Sequence, residues 1–323
     1  MDRIKSLTEA MLMGIAVGDA MGVPYEFMTE EELKQETFDE MKGYGTYDQP
    51  AGSFSDDSSM TFCLVESLIN KESIEDTAKR FIKWKNEDYW TANNETFDIG
   101  ITTDIALSNI ENGIAIEKAA PNDERSNGNG ALMRVMPLAF YVEGLSMDER
   151  FALVEKYAGI THGHLRSHMA CFILVEFAAL LIKWVKENGW GMKDKRRKKE
   201  FHAKATTQVA NYFHANERFK DEIHHFLPFI EAYPGTINEI KNSGYVVHSL
   251  ELALYSFLIH NRYEMTIKRA LWFGGDTDTN ASIAGGLSAL YYGMNNIPER
   301  WRNKLLKKEE ILDLADRWAK SIG

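Results

Sequence analysis

Two acidic clusters set far apart in the chain, Ser55-Asp56-Asp57-Ser58 and Asp276-Thr277-Asp278-Thr279, restrict its fold more than any other feature. Each crowds carboxylates and hydroxyls into a turn that opens an apolar helical run. Asp, Ser and Thr are also ordinary N-cap residues, but a cap needs one side-chain oxygen and each tetrad supplies several. Gly52-Ser53-Phe54 leads into the first cluster and Gly274-Gly275 into the second, so tight turns deliver both to helix starts. The second continues as Asn280-Ala281-Ser282-Ile283-Ala284-Gly285-Gly286-Leu287, whose small residues three and four apart let the helix pack closely on a neighbour and hold its acids rigidly. Converging carboxylates repel one another unless cations lie between them, and an oxygen-only donor set selects Mg²⁺ or Mn²⁺ over zinc. The expectation is a hard-metal site built from the two ends of the chain.

Between these clusters the periodicity is helical. Ser73-Ile74-Glu75-Asp76 and Ser146-Met147-Asp148-Glu149 read as capping boxes ahead of apolar residues three and four apart. The runs 168–186, 246–261 and 283–294 carry few turn formers, and strand-like alternation is scarce. An all-α bundle of about a dozen helices is predicted, as one domain over residues 1–323, with no internal repeat or linker. A net charge of -11 argues against nucleic acid or an anionic membrane as a partner, since both need a basic face. The basic run Lys193-Asp194-Lys195-Arg196-Arg197-Lys198-Lys199 is therefore read as a solvated loop between helices. Cys63 and Cys171 lie in apolar helical runs and read as core thiols of a protein in a reducing, cytoplasmic compartment. The apolar stretch near the N-terminus is short and interrupted by Asp19, and is expected to be neither a signal peptide nor a membrane span.

Six motifs occur in a telling order: Gly14-Ile15-Ala16-Val17-Gly18-Asp19-Ala20-Met21-Gly22-Val23-Pro24-Tyr25-Glu26-Phe27, the first tetrad, Gly128-Asn129-Gly130-Ala131-Leu132-Met133-Arg134, Thr161-His162, Ser243-Gly244-Tyr245-Val246-Val247, and Gly274-Gly275 with the second tetrad. In this order they resemble the ADP-ribosylglycohydrolases, the family that includes the dinitrogen reductase-activating glycohydrolase and the ADP-ribosyl-arginine hydrolases. The resemblance implies a compact orthogonal multi-helix bundle with a binuclear metal cleft. It implies two Mg²⁺ ions, with Mn²⁺ as a substitute, on Ser55, Asp56, Asp57, Asp276, Asp278 and Thr279. Ser55 stands where the family usually has threonine, which keeps the hydroxyl ligand.

The resemblance also implies catalytic roles for Glu26, Asp57, Asp98 and Asp278. Glu26, in a loop after Gly22-Val23-Pro24, takes the general acid/base role. Asp98, in Phe97-Asp98-Ile99-Gly100, is either a second carboxylate near the scissile ribose or a helix N-cap. For ADP-ribose, Gly128, Asn129 and Gly130 are expected to bring backbone N–H groups and a helix start to the diphosphate, beside Met133. The resemblance implies that His162 contacts ribose and phosphate and that Ser243, Gly244 and Tyr245 hold the adenosine, with Tyr245 able to stack on adenine. His164 and His168 are four apart, as zinc ligands can be, but no Cys or Glu at ligand spacing accompanies them and zinc is not expected. His248 departs from the family, which commonly has an acidic or hydroxyl residue there.

The activity implied is Mg-dependent hydrolysis of the glycosidic bond between ADP-ribose and a protein side chain, N-linked arginine first. The same site could act on O-linked, nucleic-acid or small-molecule ADP-ribosyl substrates. A non-catalytic ADP-ribose-binding or immunity protein is a further alternative, against which the costly set of acids argues. The expected partners are an ADP-ribosylated protein and ADP-ribose itself, and the loops from Leu33 to Gln49 are expected to set the substrate.

Overall fold

The computed structural model describes residues 2–191, 195–231 and 240–323. Fifteen α-helices lie among them. The first half holds α1 (Asp2–Gly22), α2 (Glu30–Leu33), α3 (Asp56–Ile69), α4 (Ile74–Glu87), α5 (Ile101–Glu111), α6 (Ile116–Ala119) and α7 (Met147–Ala158). The second holds α8 (Leu165–Asn188), α9 (Lys195–His214), α10 (Leu227–Glu231), α11 (Val246–Ile259), α12 (Tyr263–Trp272), α13 (Thr277–Tyr292), α14 (Glu299–Lys304) and α15 (Lys308–Ile322). Among the described residues extended backbone pairs only in two isolated bridges, Thr29 with Gly274 and Gly128 with Tyr245. The predicted all-α class is therefore the observed one.

The arrangement turns on α1 and α13, which pack backbone to backbone. Gly14, Gly18 and Gly22 recur every fourth residue along one stripe of α1 and meet the small-residue stripe of α13. A Cβ on Gly18 would lie 2.1 Å from the Ala281 carbonyl oxygen, and one on Gly22 2.3 Å from Asp278 Cα. Tyr263, fully buried on α12, donates its hydroxyl to the Gly14 carbonyl at 2.7 Å. The close approach expected of the Ala-Gly-Gly stretch is thus realised, and it fixes where α13 begins relative to where α1 ends.

Two helices, one spanning Arg3–Tyr25 and one Leu165–Asn188, are long and apolar enough to cross a membrane, but 89% and 78% of their most apolar windows are buried within the fold. They pack as core helices surrounded by other helices. Cys63 and Cys171 are unpaired and fully buried, and burial raises the Cys171 thiol to about 12. Both behave as small apolar side chains.

Two local expectations change. Ser146 and Glu149 do form the capping box, but Ser73 caps without a side-chain cap bond: its side chain pairs with that of Glu75, and Asp76 accepts from Arg80 at 2.7 Å. An unforeseen capping box joins Thr29 and Glu32 at the start of α2. Of the basic run, residues 193 and 194 lie outside the described residues, and the rest begins α9 rather than forming a loop. Lys198 is buried, donates to the His260 carbonyl at 2.7 Å and also to that of Phe257, and lies 3.9 Å from the centre of the Phe257 ring. Its charge is spent on the C-terminal carbonyls of α11, where the helix dipole favours a cation.

Candidate active site

The last turn of α1 carries both acidic tetrads. Asp19, fully buried there, accepts from Ser55 N at 2.9 Å, Ser58 N at 3.0 Å and Ser58 Oγ at 2.5 Å, which clamps the start of α3. Three residues on, the Gly22 carbonyl accepts from Thr277 Oγ1 at 2.8 Å, which clamps the start of α13. The two helix starts also touch directly, Thr279 Oγ1 donating to Asp57 Oδ2 at 3.1 Å. Ser55 caps α3 by accepting from Asp57 N, whereas Asp276 occupies the cap position of α13 without a side-chain cap bond. Capping thus accounts for one hydroxyl of the eight tetrad residues.

Glu26 follows the short 3₁₀ turn Val23–Tyr25 and enters the same space. Glu26, Asp98 and Asp278 place carboxylate oxygens within 4.8 Å of one another. Asp98 is no helix cap: Gly100 is the residue before α5, and Asp98 sits at φ 56° with Oδ1 accepting from the Tyr47 hydroxyl at 2.7 Å. Four carboxylate oxygens here, Glu26 Oε2, Asp57 Oδ1, Asp276 Oδ1 and Asp278 Oδ2, are buried with no hydrogen-bond partner. Their charged neighbours are other carboxylates. Burial, then Asp98 and Asp276, pushes Glu26 up to about 9, and burial followed by neighbouring acids holds Asp56, Asp57 and Asp278 well above the carboxylate range. Burial also raises Asp98 and Asp276, and it raises Asp19 to about 6 against the hydrogen bonds from Ser58 and Ser55. Buried anions without a counter-charge are strongly unfavourable. An all-oxygen donor set with unpartnered atoms fits hard divalent cations.

A cavity of about 770 Å³ opens over these acids, within the size range of small-molecule sites. Glu26, Asp56, Asp98, Asp276 and Thr279 line it together with Gly128, Asn129, Gly130, Met133, His162 and Gly244. Asp57, Asp278 and Ser55 lie beneath the wall. Ser243 and Tyr245 flank Gly244 outside the lining. Ser243 Oγ pairs with His248 Nδ1 at 2.7 Å, and the Tyr245 ring packs edge-on against His248 with the Arg166 guanidinium 5.9 Å away. His248 is thus a neighbour of the site through Ser243 and Tyr245.

The glycine segment works differently from the helix-start reading. Only a three-residue 3₁₀ turn, Leu132–Arg134, follows it, and Asn129 N is already engaged by the Gly244 carbonyl at 3.1 Å. The segment also contributes the Asn129 side chain, which donates to Asp276 Oδ2 at 2.8 Å, and room. A Cβ on Gly130 would stand 2.9 Å from His162 Cε1, and one on Gly244 3.0 Å from Asp276 Oδ2.

His162 is buried, and burial together with Arg134 lowers it to about 3, so it is a neutral imidazole. Arg134 donates to Thr161 Oγ1 at 2.7 Å, and Thr161 Oγ1 meets His162 Nδ1 at 2.9 Å. Thr161 can then give its own proton to Nδ1, which leaves Nε2–H as a donor toward the cavity. His164 caps α8 through Nδ1 and lies with Glu124 and Glu222, their ligand atoms within 4.8 Å of one another, while His168 bonds the His162 carbonyl at 2.7 Å. Asp19, Tyr47, Arg134 and Thr161 carry supporting roles that motif reading left unassigned. An aspartate within an apolar helical stripe was the one local signal for Asp19.

The ADP-ribosylglycohydrolase family model matches residues 2–323. The chain is 27% identical to the ADP-ribosylarginine hydrolase Tri1 of Serratia proteamaculans, over 95% of this chain and 77% of that protein. It is 30% identical to the ADP-ribosyl-[dinitrogen reductase] glycohydrolase of Rhodospirillum rubrum, over 92% and 90%. A solved structure described as an ADP-ribosylglycohydrolase-related protein complex superposes on all of both chains with a TM-score of 0.79 at 26% identity. With the model matched along almost the full chain and the fold shared end to end, the protein is an enzyme of the ADP-ribosylglycohydrolase family.

Proposed function

We infer that this chain is a divalent-cation-dependent cytoplasmic hydrolase that cleaves the glycosidic bond between ADP-ribose and a modified protein side chain, with N-linked ADP-ribosyl-arginine as the first substrate. The observation that carries the reading is the convergence of buried, unpartnered carboxylate oxygens at the base of a cavity large enough for a nucleotide. The names of the Serratia and Rhodospirillum relatives support an ADP-ribosyl substrate, the first of them on arginine.

Ser55, Asp56, Asp57, Asp276, Asp278 and Thr279 are the residues that would hold Mg²⁺ or Mn²⁺. When bound, two such ions supply a grip on vicinal ribose hydroxyls and a more acidic water. The chain's own groups do the rest. Glu26, its Oε2 unpartnered, would be held as the carboxylate once cations stand among the acids, and it then takes a proton from the attacking water. The water oxygen bonds to the anomeric carbon, the bond from that carbon to the side-chain nitrogen breaks with its electron pair going to nitrogen, and Glu26 passes the proton it took from water to that nitrogen. Asp98, oriented by Tyr47, faces the positive charge that develops on the ribose ring. His162 Nε2–H and the space left by Gly130 and Gly244 receive the nucleotide.

Peptides carrying mono-ADP-ribosyl-arginine or mono-ADP-ribosyl-serine, each incubated with Mg²⁺ and with EDTA, test the reading. Release of ADP-ribose from the arginine peptide in Mg²⁺ and none in EDTA is expected. Equal release in EDTA would remove the cation from the account, and release from the serine peptide alone would move the linkage to oxygen.

A further inference from the structure

One side of the cavity mouth is apolar where the floor is acidic, and exposed Asp123 and Arg125 also line the cavity. Phe27 is 67% exposed, Ile101 80% and Ile105 44%, and all three line the same cavity as Glu26 and Asp98. Single exposed apolar residues are ordinary, but several gathered on the rim of one cavity mark an interaction surface.

Phe27 is also held in an unfavourable conformation. Its φ of 64° is left-handed, which a bulky residue adopts only when its surroundings impose it. Here Phe27 N donates to the Gly275 carbonyl at 2.7 Å and Gly275 N returns a bond to the Met28 carbonyl at 2.8 Å. The turn sends Glu26 inward and its neighbour Phe27 outward. Asp98, φ 56°, repeats the device three residues before Ile101. Tyr47 joins the two sides: it donates to Asp98, and its ring centre lies 6.5 Å from that of Phe27 and 5.0 Å from that of Phe97.

We propose that Phe27, Ile101 and Ile105 form a docking rim for the polypeptide that bears the ADP-ribosyl group, so that the enzyme reads apolar residues beside the modified side chain. This rests on the hydrolase reading above. The rim borders Glu26 and Asp98, the groups assigned to the breaking bond, so whatever leaves from that bond emerges against it. Those acids complement a cationic guanidine leaving group, and the apolar side chains lie beyond them, where a free amino acid would not reach and a flanking peptide would.

The test uses two substrates, free ADP-ribosyl-arginine and an ADP-ribosyl-arginine peptide with leucines on both sides, and two variants, Phe27→Asn and Ile101→Ser. Asparagine tolerates the left-handed turn, so the first variant retains the fold. The expected result is a loss of about tenfold in kcat/KM on the peptide, carried by KM, the scale set by burying one large apolar side chain. Turnover of free ADP-ribosyl-arginine and the affinity for ADP-ribose measured by calorimetry should stay at the wild-type level. Equal losses on both substrates, or none on the peptide, would overturn the rim alone. Weakened ADP-ribose binding would make it part of the nucleotide pocket instead. If wild-type enzyme cleaves neither substrate, the hydrolase reading fails and the rim falls with it.

Discussion

Glu26→Gln is expected to slow turnover by about 10²–10⁴, the usual worth of general acid–base catalysis, while ADP-ribose binds as before. The change keeps the size of the side chain and removes its ability to take a proton. Glu26 meets other acids rather than a counter-charge and, held up to about 9, already carries its proton near neutral pH without cations, so the neutral amide changes no charge there. The variant should therefore match the stability of the wild type in EDTA near neutral pH. Single-turnover rates and calorimetry with ADP-ribose separate the possibilities. Slow turnover with weakened binding would make Glu26 a binding residue, and unchanged turnover would take it out of the mechanism.

Asp276→Asn tests the other side of the cleft. Asparagine is as good an N-cap as aspartate, so if Asp276 only started α13 the variant would be silent. One oxygen of Asp276 accepts from Asn129 at 2.8 Å and the other has no partner. On the present reading that unpartnered oxygen is a cation ligand. Its loss should cost at least about 100-fold in turnover, the upper range that even an outer-shell partner of a metal ligand carries. Helical circular dichroism should stay at the wild-type level. Near-wild-type hydrolysis would return the second tetrad to a structural role.

How legible the site was in the sequence follows from how local each cause is. The two tetrads announce themselves because too many oxygens for a cap stand in one turn, and the structure brings Asp57 and Thr279 within 3.1 Å of each other. The Ala-Gly-Gly stripe of α13 could be read because close helix packing leaves a local four-residue spacing, with Gly14 and Gly18 as its partners on α1. The clamp by Asp19 could not, since its bonds to Ser55 and Ser58 span 36 and 39 residues and depend on where α1 ends relative to α3. The pairing of Tyr47 with Asp98 joins two loops across 51 residues, and periodicity says nothing about loops. At Gly128-Asn129-Gly130 the sequence does not reveal that one backbone N–H of the glycine turn is taken by a distant segment, the Gly244 carbonyl accepting from Asn129, although Gly128 and Gly130 line the cavity. Lys198 shows the same limit: a lysine in a basic run looks solvated until a distant helix end claims it.

The central claim is that the converging carboxylates form a cation site, and thermal melting with and without Mg²⁺ at two pH values tests it most directly. In EDTA, Glu26 titrates near 9 in the folded protein against 4.5 when unfolded, and Asp19 near 6 against 3.8, so the folded state holds more protons over that range. The contribution of these two acids to the stability of the metal-free protein then falls as pH rises from roughly 5 to 9, while buried His162, lowered to about 3, acts in the opposite sense only below about 6.5. A cation bound only by the folded state competes with those protons, so its stabilising effect should grow over the same range. The account predicts a clear rise in Tm on adding Mg²⁺ at about pH 8 and little or none at about pH 5. No Mg²⁺ response at about pH 8, or an equal response at both pH values, would contradict it.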